Sequence, residues 1–115
     1  MKLPDESYLL RIFIGESDKH GGKPLYEAII ESARKRGMAG ATALRGIAGF
    51  GANSRIHTSK ILRLSEDLPV VVEIVDKLER IDDFLIELDS MIKEGLVTLE
   101  KVKVIAYRHN STEKK

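Results

Sequence analysis

Hydrophobic and polar residues alternate near the start of the chain, and the period then changes along it. From Tyr8 to Gly15 (Y-L-L-R-I-F-I-G), Tyr8, Leu10, Ile12 and Ile14 share one face and Leu9, Arg11 and Phe13 the other, the period of a strand. A polar, glycine-bearing loop spans Ser17 to Lys23. Pro24 suits the first turn of a helix, where its missing N–H is not needed. Leu25, Ala28, Ile29, Ser32 and Ala33 then recur at helical spacing, and Gly37 supplies a C-terminal stop. Ala41 to Ala48 reads as a strand carrying glycine, and Pro69 to Val75 (P-V-V-V-E-I-V) as an uninterrupted one. Asp76 is placed to cap the next helix, whose apolar stripe is Leu78, Ile81, Leu85, Leu88 and Ile92. Gly95 ends that helix. Leu99 to Tyr107 is the last strand, with Val102, Val104 and Ala106 opposing Lys101, Lys103 and Ile105.

The predicted order is strand, helix, strand, strand, helix, strand. That is an α+β, ferredoxin-like βαββαβ arrangement, four antiparallel strands with both helices on one face. Such a fold leaves the other sheet face bare. Yet the first strand is apolar on both faces, through Leu9 and Phe13 as well as Leu10 and Ile12, and Val70, Val71 and Val72 repeat this in the third. Strands apolar on both sides are normally covered on both sides. Another copy of the chain is the expected cover, so a homo-oligomer is predicted.

Composition narrows the class. The 115 residues are read as one domain over 1–108 with a polar tail at 109–115. With 43% hydrophobic and 32% charged residues the chain is globular. A formal net charge of +1 supplies no field to gather nucleic acid or anionic membranes. No cysteine is present, which excludes disulfides and thiolate metal sites. No apolar run reaches the ~18 residues of a membrane span, and Met-Lys-Leu-Pro-Asp-Glu does not read as a signal peptide. A cytoplasmic protein with no direct membrane insertion is expected.

The most informative stretch is Gly37 to Asn53, which holds five of the nine glycines inside strand-like sequence. Glycine weakens a strand, so several together point to bulges or to close approach of something to the backbone. Two readings stand. Gly46, Gly49 and Gly51 permit bulges and a sharp exit, or their N–H groups form an anion-binding turn to which Thr42 and Asn53 add hydrogen bonds. No G-x-x-x-x-G-K-[ST] occurs, so this is not a known phosphate loop. The following segment to Asp67 is long for a hairpin connection and carries Arg55, His57, Lys60 and Arg63. It reads either as a partner-binding loop or as a hairpin packed on a neighbouring copy.

Elsewhere chemistry is sparse. Around Gly95, Thr98 and Lys101 are placed to face a ligand with Arg108 closing over it, or else form a helix stop and a solvated strand. His20, His57 and His109 have no metal-ligand spacing, and no metal site is predicted. Asp82 and Asp83 are adjacent and belong to a solvated helix face, while Arg34, Lys35 and Arg36 suit a helix C-terminus. No serine or threonine lies in a nucleophile motif. An enzyme is therefore not expected.

The run A-T-A-L-R-G-I-A-G-F-G-A from Ala41, then R-I-H-T, then L-R-L-S-E-D-L-P-V-V-V-E-I-V-D ending at Asp76, resembles an uncharacterised family of PII-like proteins, domain of unknown function 190. The likeness extends from G-E-S-D-K at Gly15 to G-L-V-T-L-E at Gly95. More distantly, the chain resembles the nitrogen-regulatory PII signal proteins. These are ferredoxin-like homotrimers that bind ATP or ADP between subunits and report through a flexible loop to enzymes and membrane transporters. The resemblance maps the adenine-holding threonine to Thr42, and the phosphate-side segment entering the loop to Gly49, Phe50 and Gly51. Asn53 stands near the position of a PII glutamine, with one extra residue between Thr42 and Gly49. Where PII has a G-D-G-K-like turn, this chain has T-L-E-K, with Lys101 in the lysine's role and Glu100 opposing phosphate. Arg108 stands for one late PII arginine, and the loop's modification tyrosine has no counterpart between Ala52 and Asp67.

The resemblance implies a non-enzymatic, PII-like trimer binding an adenine nucleotide (ATP, ADP or AMP type, with Mg²⁺ allowed alongside) in inter-subunit clefts. The 52–67 loop would signal to a regulatory protein or membrane transporter by a shift in loop population. Arg45, Arg55 and Arg63 are the side chains expected to reach phosphate or a partner carboxylate. The alternative is a metal-handling or scaffolding trimer of the same architecture. RNA binding on the open face needs exposed aromatics, for which only Phe13, Phe50 and Tyr107 are available, and no nucleic-acid partner is expected.

Overall fold

The computed structural model describes residues 3–51 and 67–109. In chain order these form β1 (Glu6–Gly15), β2 (Lys19–His20), β3 (Lys23–Pro24), α1 (Leu25–Lys35), β4 (Thr42–Arg45), β5 (Pro69–Asp76), α2 (Leu78–Met91) and β6 (Leu96–Lys103). The main sheet has the order β4-β5-β1-β6, with every neighbouring pair antiparallel. Both helices pack on one side, which is the ferredoxin-like arrangement that the element order implies. The pair β2–β3 is a small separate hairpin inside what the sequence presents as a polar loop.

The alternation of β1 and β5 decides where the core lies. Leu10, Ile12 and Ile14 from β1 and Val70, Val72 and Ile74 from β5 are buried beneath Leu25, Ile29 and Ala33 of α1 and Ile81, Phe84 and Leu88 of α2. The α2 stripe is rotated from the sequence expectation. Phe84 and Met91 are buried, whereas Leu78 is 36% exposed, because the sheet contacts the side of the helix that carries the largest ring.

Three boundaries differ from those read in the sequence. The glycine-bearing strand is confined to Thr42–Arg45, because Gly46 donates its N–H to the Pro69 carbonyl (2.7 Å) and the chain then turns. The last strand starts at Leu96 and ends at Lys103, since its ladder matches β1 from Phe13 back to Glu6 and no further. Helix α2 ends at Met91, before Gly95. Gly95 instead makes the turn into β6 at φ +155°, where a Cβ would stand 2.8 Å from the Phe13 carbonyl oxygen. Only glycine fits that approach.

Asp76 does not cap α2 through its side chain: the N-cap position is Lys77, and no side-chain cap bond forms. The carboxylate is completely buried and joins two connections instead. Its Oδ2 accepts from Ala39 N (2.9 Å), its Oδ1 from Lys77 N (2.8 Å), and Arg80 Nε lies at 3.6 Å. Arg80 Nη1 donates to the Gly37 carbonyl (2.9 Å). Gly37, at φ +69°, ends α1 in a Schellman motif, with Met38 N to Ala33 O at 3.1 Å and Gly37 N to Arg34 O at 3.0 Å. One buried acid therefore locks the end of α1 to the start of α2.

Removing that acid leaves buried donors unpaired. Asp76→Ala is expected to cost about 3 kcal/mol, read as a lower urea midpoint at fixed protein concentration. An unchanged midpoint would show that the junction is held by something else. Gly95→Ala is expected to lose about 1–3 kcal/mol in the same experiment, because backbone stands where the methyl must go.

Candidate functional site

A cavity of about 500 Å³ opens at the end of the sheet where β1 stops and β5 and β6 begin. Its walls are Phe13 to Gly15, Asp18, Phe50 and Gly51, Asp67 and Pro69, and Glu94 to Leu96. Gly51 and Asp67, the described residues on either side of 52–66, both line the cavity.

The glycine cluster divides into two kinds. Added Cβ atoms at Gly46 and Gly49 would meet the Pro69 ring at 2.8 and 3.1 Å. These glycines let the chain wrap the proline that opens β5, so the close approach anticipated from the sequence is made by the protein's own Pro69 ring. Gly51 is different: a Cβ there would touch none of the described residues within 4 Å, and the residue lines the cavity. Loop anchoring holds the opposite wall. Asp67 Oδ1 accepts from Ser17 N (3.1 Å) and Ser17 Oγ (2.9 Å), Glu16 N donates to Leu68 O (2.8 Å), and Asp18 Oδ2 accepts from Gly15 N (2.9 Å).

The lining is acidic. Asp18, Asp67 and Glu94 contribute carboxylates, and no Lys or Arg lines the cavity among the described residues. Arg45 is paired with Glu16 and is not a lining residue. Among the described residues, the side chains with shifted titration lie elsewhere, in surface ion pairs. The Lys23 hydrogen bond to Glu31 raises the lysine and lowers the acid, and the Arg36 hydrogen bond lowers Glu87.

Of the residues singled out in the sequence, Phe50, Gly51 and Gly95 come together at the cavity, with Gly49 beside Pro69. Thr42 and Thr98 do not join them: their register against Glu73 and Arg11 puts them midway along the helix-free face of the sheet. Lys101 lies at the opposite end of β6, in a shallow groove of about 330 Å³, with its Nζ 3.8 Å from Glu6 Oε2. Arg108 follows Tyr107, whose hydroxyl donates to the Ala39 carbonyl (2.8 Å), again at that far end. Asn53, Arg55, His57, Lys60 and Arg63 lie outside the described residues. Sequence reasoning missed Asp18, Asp67, Glu94 and Pro69. Only the G-E-S-D and D-L-P strings carried a trace of three of them, without periodicity to mark a role.

The helix-free face itself is mixed. Leu9, Phe13, Leu44, Val71, Val75 and Leu96 surround one ion cluster. Arg11 Nε meets Glu73 Oε2 at 3.0 Å and its Nη1 meets Glu100 Oε1 at 3.0 Å. Among the described residues, no group of three His, Cys, Asp or Glu is arranged to hold a metal, and no helix is long and apolar enough to cross a membrane.

Known proteins share this fold. CPII of Thiomonas intermedia K12, solved bound to ADP, AMP and bicarbonate, superposes with a TM-score of 0.62 at 14% identity, over 90% of this chain and 99% of that one. A structure described as a candidate PII-like signaling protein from Thermus thermophilus gives 0.59 at 16% identity, over 87% and 90%. At these identities the likeness establishes the fold. Sequence relatives are nearer. A UPF0166 protein of Aquifex aeolicus is 47% identical over 97 residues, covering 84% of this chain and 91% of that one. A UPF0166 protein of Methanocaldococcus jannaschii is 37% identical over 92 residues, covering 79% and 84%. The model of the DUF190 family, described as Uncharacterized ACR, matches residues 7–104, and the chain belongs to that family.

Proposed function

We propose that this protein is a non-enzymatic, PII-like signalling protein that binds an adenine nucleotide between subunits of a homotrimer and signals through its 52–67 segment. The observation that carries this reading is that Gly51, which precedes the segment, and Asp67, its last residue, both line the cavity. A ligand seated there has differential contact with whatever states the segment adopts, which is the requirement for a population shift. The ligand class follows the fold neighbours, of which CPII was solved with ADP and AMP. A regulatory protein or membrane transporter is the target class, and the cytoplasm the expected location.

Charge supports placing the site between subunits. Phosphate cannot rest against Asp18, Asp67 and Glu94 without compensating cations. Lys101 stands five residues along β6 from Leu96, roughly 17 Å away at the rise of a strand, so its own chain cannot deliver it to the cavity. A neighbouring copy, with its Lys101, Thr98 and Arg108, can supply what this wall lacks, and Mg²⁺ can supply the remainder.

Calorimetric titration with ATP, ADP and AMP, with and without Mg²⁺, tests this. One saturable site per chain is expected, abolished in Gly51→Glu, which adds a carboxylate where a Cβ has free space and so leaves the fold intact. No heat with any nucleotide would end the nucleotide reading.

A further inference from the structure

The cluster in the middle of the helix-free sheet face is unlike its surroundings. Arg11, Glu73 and Glu100 come from three adjacent strands and sit amid leucine, valine and phenylalanine. Among the described residues they are the only charged side chains whose strand register places them on that face. Arg11 uses Nε and Nη1. Its Nη2, one oxygen of Glu73 and one oxygen of Glu100 make no hydrogen bond among the described residues. All three side chains keep solvent contact, at 37%, 32% and 57% exposure.

We infer that this triad is an inter-copy recognition element: in the assembled protein the guanidinium of one copy pairs with a carboxylate of the next, and the pairing sets how many copies associate and in what register. The inference rests on the homotrimer proposed above. Its occupant is a second copy of this chain, because the patch carries together donors and acceptors that make no hydrogen bond among the described residues, so around a rotation axis the donor of each copy can meet an acceptor of the next. The apolar surroundings supply attraction, but that attraction is non-directional and tolerates many sliding arrangements. Covering the face also removes water from the triad. An arrangement that leaves any member unpaired then costs the desolvation of a charge, while one that interleaves the triads does not. Arginine suits the role because its planar fork can hold two carboxylates at fixed angles, which lysine cannot. Two carboxylates for each guanidinium leave one surplus negative charge per copy in every arrangement, so a covered face tolerates only packings in which each carboxylate keeps an arginine N–H.

Light scattering on a sizing column, across a dilution series, tests both layers. The wild-type chain is expected to give a single trimer mass, and a monomer at all concentrations would remove the trimer reading and this inference with it. Arg11→Met leaves two carboxylates stranded and is expected to raise the dissociation midpoint by about 100-fold or more. Arg11→Lys keeps the charge without the fork and is expected to fall between. Arg11→Met/Glu73→Leu/Glu100→Leu is expected to associate again, but as a mixture of masses. If a trimeric wild type is matched by Arg11→Met at the same midpoint, or by a triple variant of single trimer mass, the triad does not direct assembly. Should Arg11→Met fail to fold by circular dichroism, Arg11→Lys decides: a midpoint equal to wild type overturns the inference.

Discussion

Strand β1 is hydrogen-bonded along both edges, to β5 and to β6, and each ladder runs nearly its full length. Every other placement in the molecule hangs on that double pairing. Because side chains alternate strictly along a strand, fixing β1 assigns Leu10, Ile12 and Ile14 to the helices and Leu9, Arg11 and Phe13 to the opposite face at once. A slip of β1 itself by one residue would put the Arg11 guanidinium into the core. The helices then add the closing layer over the first set, leaving the second to whatever meets the sheet from the other side.

The same ladders fix the site. Pairing of Gly15 with Pro69 and of Phe13 with Leu96 brings the β1 terminus, the opening of β5 and the opening of β6 to one end of the sheet. The glycines that precede Pro69 in the chain fold around it, and Asp67 clamps Ser17, so Gly51 and Asp67 lie at that same end. At the other end, Asp76 ties Ala39 to Lys77, and Tyr107 reaches the same connection. The molecule has an anchored end and a cavity end, separated by the length of the strands. That separation is the reason Lys101 and Arg108 cannot serve their own chain's cavity.

The helix-free face shows how two requirements share one surface. Its apolar residues surround Arg11 and its two carboxylates, so any surface that covers the face must satisfy three charges as well as bury hydrocarbon. A wholly apolar face would adhere more strongly and select less, the general trade between packing and a polar specifier in an interface.

Much of this was legible without coordinates. Alternation in β1 and β5 is governed by local geometry, so the two-faced character of the sheet, the order of its four strands and two helices and the ferredoxin-like topology all follow from the residue pattern alone. Helix α1 and its glycine terminus follow for the same reason, since Gly37 adopts a left-handed conformation that the preceding turn itself requires. The rest depended on contacts distant in sequence. Nothing local marks Asp76 as a buried tie in preference to a cap, because Ala39 lies 37 residues earlier. The rotation of α2 onto Phe84 was set by the sheet it covers, and the start of β6 by the register of β1. Most of all, the glycine run announced a close approach, but only the folded chain identified the approaching group as Pro69 for Gly46 and Gly49, while leaving Gly51 open to the cavity. Periodicity and backbone freedom are written into neighbouring residues; which surfaces meet, and which carboxylates converge on one cavity, is decided by pairing across the whole chain.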